Sequence, residues 1–153
     1  MEFEDFAAHF ADAQARNAAL EIANGMKAFE SLRATEADLD RAEVELGVQL
    51  PRKYREFMQR YGGGMFDYVE LLPVVSLDGA SDDLLSVSRC ENFGSKFVAV
   101  APVGTGDWWG FEALDGTCQD HVSFIYHENG NIEYEAEDFL TFVAKRGLQV
   151  GGV

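Results

Sequence analysis

Cys118, His121 and His127 are the side chains that come nearest to a metal set, one thiol and two imidazoles of the kind zinc prefers. Structural zinc sites pair close ligands twice, and this spacing does not. A turn at Asp115–Asp120 and a strand at Val122–Tyr126 would also have to bring the two histidines together. The expectation is no bound metal and two hairpin histidines. Gly104-x-Gly106 has the look of a phosphate loop but lacks a third Gly, a Lys-Ser/Thr pair and a following helix, and Asp107 would repel phosphate. It reads better as a turn before a strand. The serines, among them Ser76, Ser86, Ser95 and Ser123, sit in no nucleophile elbow. Carboxylates are so abundant that a pair suited to acid–base work carries no information. The chain is therefore expected to have no catalytic residue and no cofactor.

The remaining chemistry is that of recognition. Trp108 and Trp109 are adjacent, so on a strand they point to opposite faces. An exposed Trp between Asp107 and Glu112 would make a good anchor for a protein partner, since Trp is enriched at binding hot spots. Asp67, Tyr68 and Glu70 repeat the same mixture of acid and aromatic. These seven residues form the candidate partner-binding set.

Charge points the same way. The net charge is −15, and it is uneven: residues 1–66 carry twelve acids against eight bases, whereas residues 67–153 carry fifteen against four. A surface of that sign repels nucleic acid and anionic membrane and attracts basic partners. No apolar stretch reaches the ~20 residues needed to span a bilayer. The opening MEFEDFAAHF is acidic and aromatic, unlike a secretion signal. Two cysteines, Cys90 and Cys118, suit a reducing compartment. The cytoplasm is the expected location. The oligomeric state is not legible.

The elements that must position these residues follow from periodicity. Phe3, Phe6, Phe10 and Ala13 recur at helical spacing, which predicts a helix over 3–15, broken by Asn24-Gly25. Residues 17–33 give no clear pattern. Thr35 and Asp38 resemble a capping box, and Leu39, Ala42 and Leu46 form an apolar stripe that Gly47 ends. Pro51 suits the first turn of a further helix carrying Tyr54, Phe57, Met58 and Tyr61 inward, with Arg52, Lys53, Arg55 and Arg60 outward. Gly62-Gly63-Gly64 stops it. Beyond residue 66 the period becomes strand-like. Strands are expected at Tyr68–Val75, Phe97–Val103, Trp108–Glu112, Val122–Tyr126 and Asn131–Tyr134, with turns at Asp115-Gly116 and Asn129-Gly130. Ser76–Ser95 reads as a loop with one short strand around Leu84–Val87. A helix from Glu137 to Arg146 closes the pattern, acidic at its start and basic at its end, as the macrodipole prefers. Leu46, Leu50, Tyr54, Phe57, Phe139 and Phe142 should share one core. Helices first, strands next and a final helix predict a single α+β domain, with helices packed on a largely antiparallel sheet of five or six strands.

Leu46-Gly47-Val48-Gln49-Leu50-Pro51-Arg52-Lys53-Tyr54-Arg55-Glu56-Phe57 resembles the opening motif of the SUKH superfamily: an acidic helix, Leu-Gly, Leu-Pro, then two aromatics three apart. Tyr61-Gly62-Gly63 is similar to the family's ending of that helix. Gly104-Thr105-Gly106-Asp107-Trp108 is similar to its Gly-Asp turn before an aromatic, and Glu137-Asp138-Phe139-Leu140 to its final helix. The resemblance covers residues 35–146 and leaves 1–33 as a helical extension. It implies a non-catalytic binding protein. The family includes bacterial immunity proteins that neutralise toxins, often nucleases, and fungal regulators of cell-wall assembly, the SMI/KNR group. The expected function is toxin neutralisation through an acidic face. The alternatives are a regulatory or scaffold role with an endogenous partner, and a carboxylate-based hydrolase.

Overall fold

The computed structural model describes residues 1–79 and 81–153; Ala80, within the expected Ser76–Ser95 loop, lies outside the described residues. The first half is helical: α1 (Phe3–Asn24), α2 (Glu36–Leu46) and α3 (Arg52–Arg60). Thr35 starts α2 as its side chain dictates. Its hydroxyl accepts the Asp38 N–H, and the Asp38 carboxylate accepts the Thr35 N–H, so two of the orphan donors of the first turn are satisfied. Gly47 ends α2 in the left-handed region at φ 71°. Pro51 stands at the N-cap of α3, one place before the first turn. Helix α1 is longer than its aromatic stripe predicts. It runs nine residues past Ala15, on to Asn24, and is closed by Gly25 at φ 66°. Its second half buries little, which is why apolar periodicity cannot mark it.

The glycine run after α3 answers a steric demand. Residues 25–34 return as a strap whose Leu32 pairs with Gly63, and a Cβ on Gly62 would lie 2.5 Å from the Leu32 carbonyl carbon. A short hairpin follows, β1 (Gly64–Phe66) and β2 (Val69–Leu71). The strand expected over Tyr68–Val75 thus shrinks to Val69–Leu71. Asp67 turns the chain at φ 57°, and Pro73 lacks the N–H that would continue a ladder.

The short strand expected around Leu84–Val87 is instead a helix, α4 (Leu84–Glu91). The cause is a second capping box. Asp83 Oδ1 accepts the Ser86 N–H at 2.9 Å, and Ser86 Oγ accepts the Asp83 N–H at 2.9 Å. Leu84 and Val87, three apart, then share the buried side.

The remaining strands are β3 (Phe97–Pro102), β4 (Trp108–Leu114), β5 (Thr117–Cys118), β6 (Val122–Ile125) and β7 (Ile132–Ala136), followed by α5 (Phe139–Arg146). They form an antiparallel sheet in the order β3-β4-β6-β7, with β5 paired to β4. Asp115 and Gly116 both take positive φ, 52° and 79°, as a two-residue hairpin requires. The β6–β7 turn is longer: Tyr126 and Asn131 close it, with Gly130 at φ 73°. The architecture is α+β.

One face of this sheet, the inner face, carries the main core. Leu46, Leu50, Tyr54, Phe57, Phe139 and Phe142 all lie in it, as expected. So does Phe6 of α1, whose ring meets Phe57 edge-on at 5.6 Å. The outer face carries a smaller cluster of Leu72, Val87, Phe97, Ala99 and Ile125. That cluster covers the β3 side of the outer face and leaves the β7 side open.

Candidate interaction face

Strand pairing sets out the outer face in rows. Trp108, Ile125 and Ile132 are cross-strand partners, and so are Gly110, Ser123 and Tyr134. Trp108 and Glu112 share this face with them, because side chains two apart on a strand point the same way. Gly110 lies between the two. A Cβ there would sit 2.1 Å from the Val98 carbonyl oxygen and 2.7 Å from the Phe97 ring, so the ring occupies the space a side chain would need.

Helix cover stops at Trp108, which packs against the small cluster. Beyond it the face is exposed: Ile132 is 40% and Tyr134 67% accessible. The His121 ring stacks on Tyr134 with centroids 5.9 Å apart. Its Nε2 lies 3.3 Å from Glu112 Oε1, and the Ser123 hydroxyl donates to the same oxygen at 3.3 Å. This set contains the residue types of a hydrolytic triad in the wrong order. The carboxylate stands between serine and histidine, so the imidazole has no serine proton to take. Ser123 is also buried. What the arrangement does is tie Glu112 to Ser123 and His121 and set the His121 ring against Tyr134.

The other expected residues have distinct surroundings. Trp109 points to the inner face, against Phe142 at 5.4 Å, with the Arg146 guanidinium over its ring at 5.3 Å. Asp107 is a latch between turns. Its Oδ1 accepts the His127 backbone N–H at 2.8 Å and lies 2.6 Å from His127 Nδ1, while Oδ2 accepts the Thr105 hydroxyl at 2.8 Å. These bonds hold its carboxyl well below the usual range, at about 2, and raise the His127 imidazole above its ordinary value. Asp67 is turned inward. Burial pushes its carboxyl up, opposed by a hydrogen bond from Asn17 and by the charge of Arg16. Tyr68 and Glu70 project from the hairpin into solvent. Tyr68 donates its backbone N–H to the Gly147 carbonyl at 3.2 Å, beside the Arg146 that covers Trp109.

The structure thus brings Trp108 and Glu112 onto one face and places Tyr68 and Trp109 around the end of α5. It does not gather all seven into a single cluster. Ile132, Tyr134 and His121 were absent from the sequence-derived set. Their signal was the alternation Ile132-Glu133-Tyr134-Glu135, whose apolar members share one face. Cys118 is buried in β5, where burial and the neighbouring Glu43 push its thiol up to about 12. His121 and His127 stand beyond opposite ends of β6, on different carboxylates. Among the described residues no group of three His, Cys, Asp or Glu side chains is arranged to hold a metal ion, and no helix is long and apolar enough to cross a membrane.

Residues 36–143 match the protein-family model described as SMI1-KNR4 cell-wall, of the SUKH group. No curated protein matches the chain.

Proposed function

Since this chain belongs to the SMI1-KNR4 family of the SUKH superfamily, we propose that it is a non-catalytic protein-binding domain acting in the cytoplasm as an immunity protein. Its target is a cognate bacterial toxin with a basic surface, a nuclease by preference. Family membership supports a role of the SMI1/KNR4 or toxin-immunity kind in general. The observation that carries the finer reading is the open half of the outer face. An exposed Tyr134 and Ile132 lie there on one face with Trp108 and Glu112, in the half of the chain with net charge −11 (fifteen acids less four bases). An exposed aromatic close to a carboxylate, on a strongly acidic chain, suits a partner whose own surface is built for phosphates. Glu70 and Tyr68, exposed on the hairpin, form a separate acidic and aromatic patch beside the end of α5.

A pull-down from the native host, with neighbouring gene products included, tests this. The expected catch is a basic toxin domain whose activity falls when this protein is added. Association should slow steeply with salt, because the Debye length shrinks from about 30 Å at 0.01 M to about 8 Å at physiological ionic strength. A partner whose toxicity persists in the complex would sink the immunity reading. It would favour the second one, a regulatory or scaffold role with an endogenous partner, which draws on the cell-wall association in the family's description.

A further inference from the structure

We infer that the free edge of β7 receives an extended, basic segment of the partner, which adds to the sheet as a sixth strand. This rests on the protein-binding reading above and names the partner's mode of attachment.

Strand β7 pairs with β6 on one side only; among the described residues no strand lies on its other side. A groove of about 920 Å³ runs there. Its lining includes Tyr134, Glu135, Ala136 and Glu137 in succession, with Asp5 and His9 of α1 across from them. Successive side chains of a strand go to opposite faces, so a groove lined by consecutive residues follows the strand's edge. A row of backbone donors and acceptors along such an edge is a template for another strand.

Charge selects which strand. Asp5, Glu135 and Glu137 line the groove as acids; Glu135 is paired with Lys145 and Arg146 and Glu137 with the Met1 ammonium, which leaves Asp5 as the lining acid with no ion pair among the described residues. Glu133 adds a further acid on the same strand. A second β7 laid alongside would oppose carboxylate to carboxylate, so the edge resists pairing with its own kind. A segment bearing lysine or arginine meets attraction instead. Lys145 donates to the Glu135 carbonyl at 3.1 Å and so caps one acceptor of this edge. The cap is a part-buried side chain, not backbone, so an arriving strand has one hydrogen bond and one ion pair to exchange.

The probe is a blocked six-residue peptide alternating lysine and threonine, titrated into the full-length ¹⁵N-labelled protein. Amide shifts should concentrate at residues 132–137. Two further peptides carry N-methyl groups, one on every lysine and the other on every threonine. A strand uses one edge at a time, so one of the two should lose binding and the other keep it. An alternating glutamate–threonine peptide should not bind. The double variant Asp5→Lys/Glu137→Lys, folded by circular dichroism, should weaken the lysine peptide about tenfold through lost and reversed ion pairs. Absence of shifts at millimolar peptide, shifts elsewhere, equal binding of both N-methyl peptides, or an indifferent double variant would each overturn the inference. If the peptide fails while a basic toxin is still captured and inhibited, the strand-addition idea alone falls. If the peptide binds at β7 and no toxin is inhibited, the edge stands and the immunity reading falls.

Discussion

His127 Nδ1 lies 2.6 Å from Asp107 Oδ1, and that same oxygen accepts the backbone N–H of His127 at 2.8 Å. Two turns more than twenty positions apart at their extremes are held by this one residue pair, and Trp108 follows directly from it. The Gly-Asp turn that looks like a recognition element is therefore first a device that fixes where β4 begins.

The latch should respond to pH in a defined window. The folded state raises the His127 pKa above 6.5, so its contribution is full below about pH 6.5 and is lost as pH rises through the folded value. The folded state lowers Asp107 from 3.8 to about 2, so its contribution is present above about pH 3.8 and is lost as pH falls through 2. Both are complete between roughly pH 4 and 6.5. Asp107→Asn should bring the His127 pKa back down, measured by NMR titration of its ring protons. An unchanged His127 pKa in that variant would show that the carboxylate does not hold the ring.

Phe57→Ala should cost about 3–5 kcal/mol, the usual range for a buried Phe truncated in a core. Its ring is fully buried and meets Phe6, Tyr61, Phe66 and Phe139. Urea unfolding measures it. A loss below about 1 kcal/mol would mean that α3 does not pack as described.

Gly110→Ala and Gly130→Ala should differ sharply. At Gly110 the new methyl would meet backbone at 2.1 Å, whereas at Gly130 nothing lies within 4 Å. The first should cost about 3 kcal/mol or prevent folding. The second should cost only the left-handed penalty of about 1–2 kcal/mol. Thermal melts of the two variants compare them directly, and equal melting temperatures would contradict the close packing of Phe97 over β4.

Much of the fold was legible because local chemistry specified it. The Thr35–Asp38 box, Gly47 and the Tyr54/Phe57 spacing each point to one local structure, and the helices follow. Helix α4 was missed although its Asp83/Ser86 box was present, because a single turn of apolar residues reads equally well as a strand. That miss had a consequence for the site. Which half of the outer face is bare depends on where α4 and Phe93 pack, and no local pattern encodes that. Hence the acid–aromatic pattern marks Trp108 and Glu112 as candidates, while nothing in the strand pattern of Asn131–Tyr134 says that Ile132 and Tyr134 lie on the bare half. Asp67 and Asp107 illustrate the converse: an acid beside an aromatic suggests a binding site, but only geometry reveals that both carboxylates are already engaged.

Tyr134→Ala should weaken partner binding by about 2 kcal/mol or more, as loss of a hot-spot aromatic does, chiefly through faster dissociation. Ala37→Lys, on the exposed side of α2, should leave affinity unchanged. Surface plasmon resonance with the captured partner compares the two. A larger loss at Ala37 than at Tyr134 would move the interface to the helical side.

Removal of residues 1–34, which lie outside the family match, should abolish cooperative unfolding. Phe6, Phe10 and Phe29 complete the ring cluster around Phe66 and Tyr61. Residues 35–153 expressed alone should bind a hydrophobic dye and lose near-ultraviolet dichroism. A cooperative melt for that fragment would show the extension to be an accessory.

Helix α1 packs on α5, and Arg16 donates to the Leu148 carbonyl at 3.0 Å, joining segments 132 positions apart. During synthesis the first helix therefore waits for the last. Until α5 clears the ribosome, Phe57 has no Phe139 ring to pack against, and that side of it stays open to solvent. At roughly 5–20 residues per second that interval lasts several seconds. A protein assembled this way is exposed to chaperones and proteases for most of its birth, and a substitution in α5 would be felt first as lower yield from the cell rather than as weaker binding.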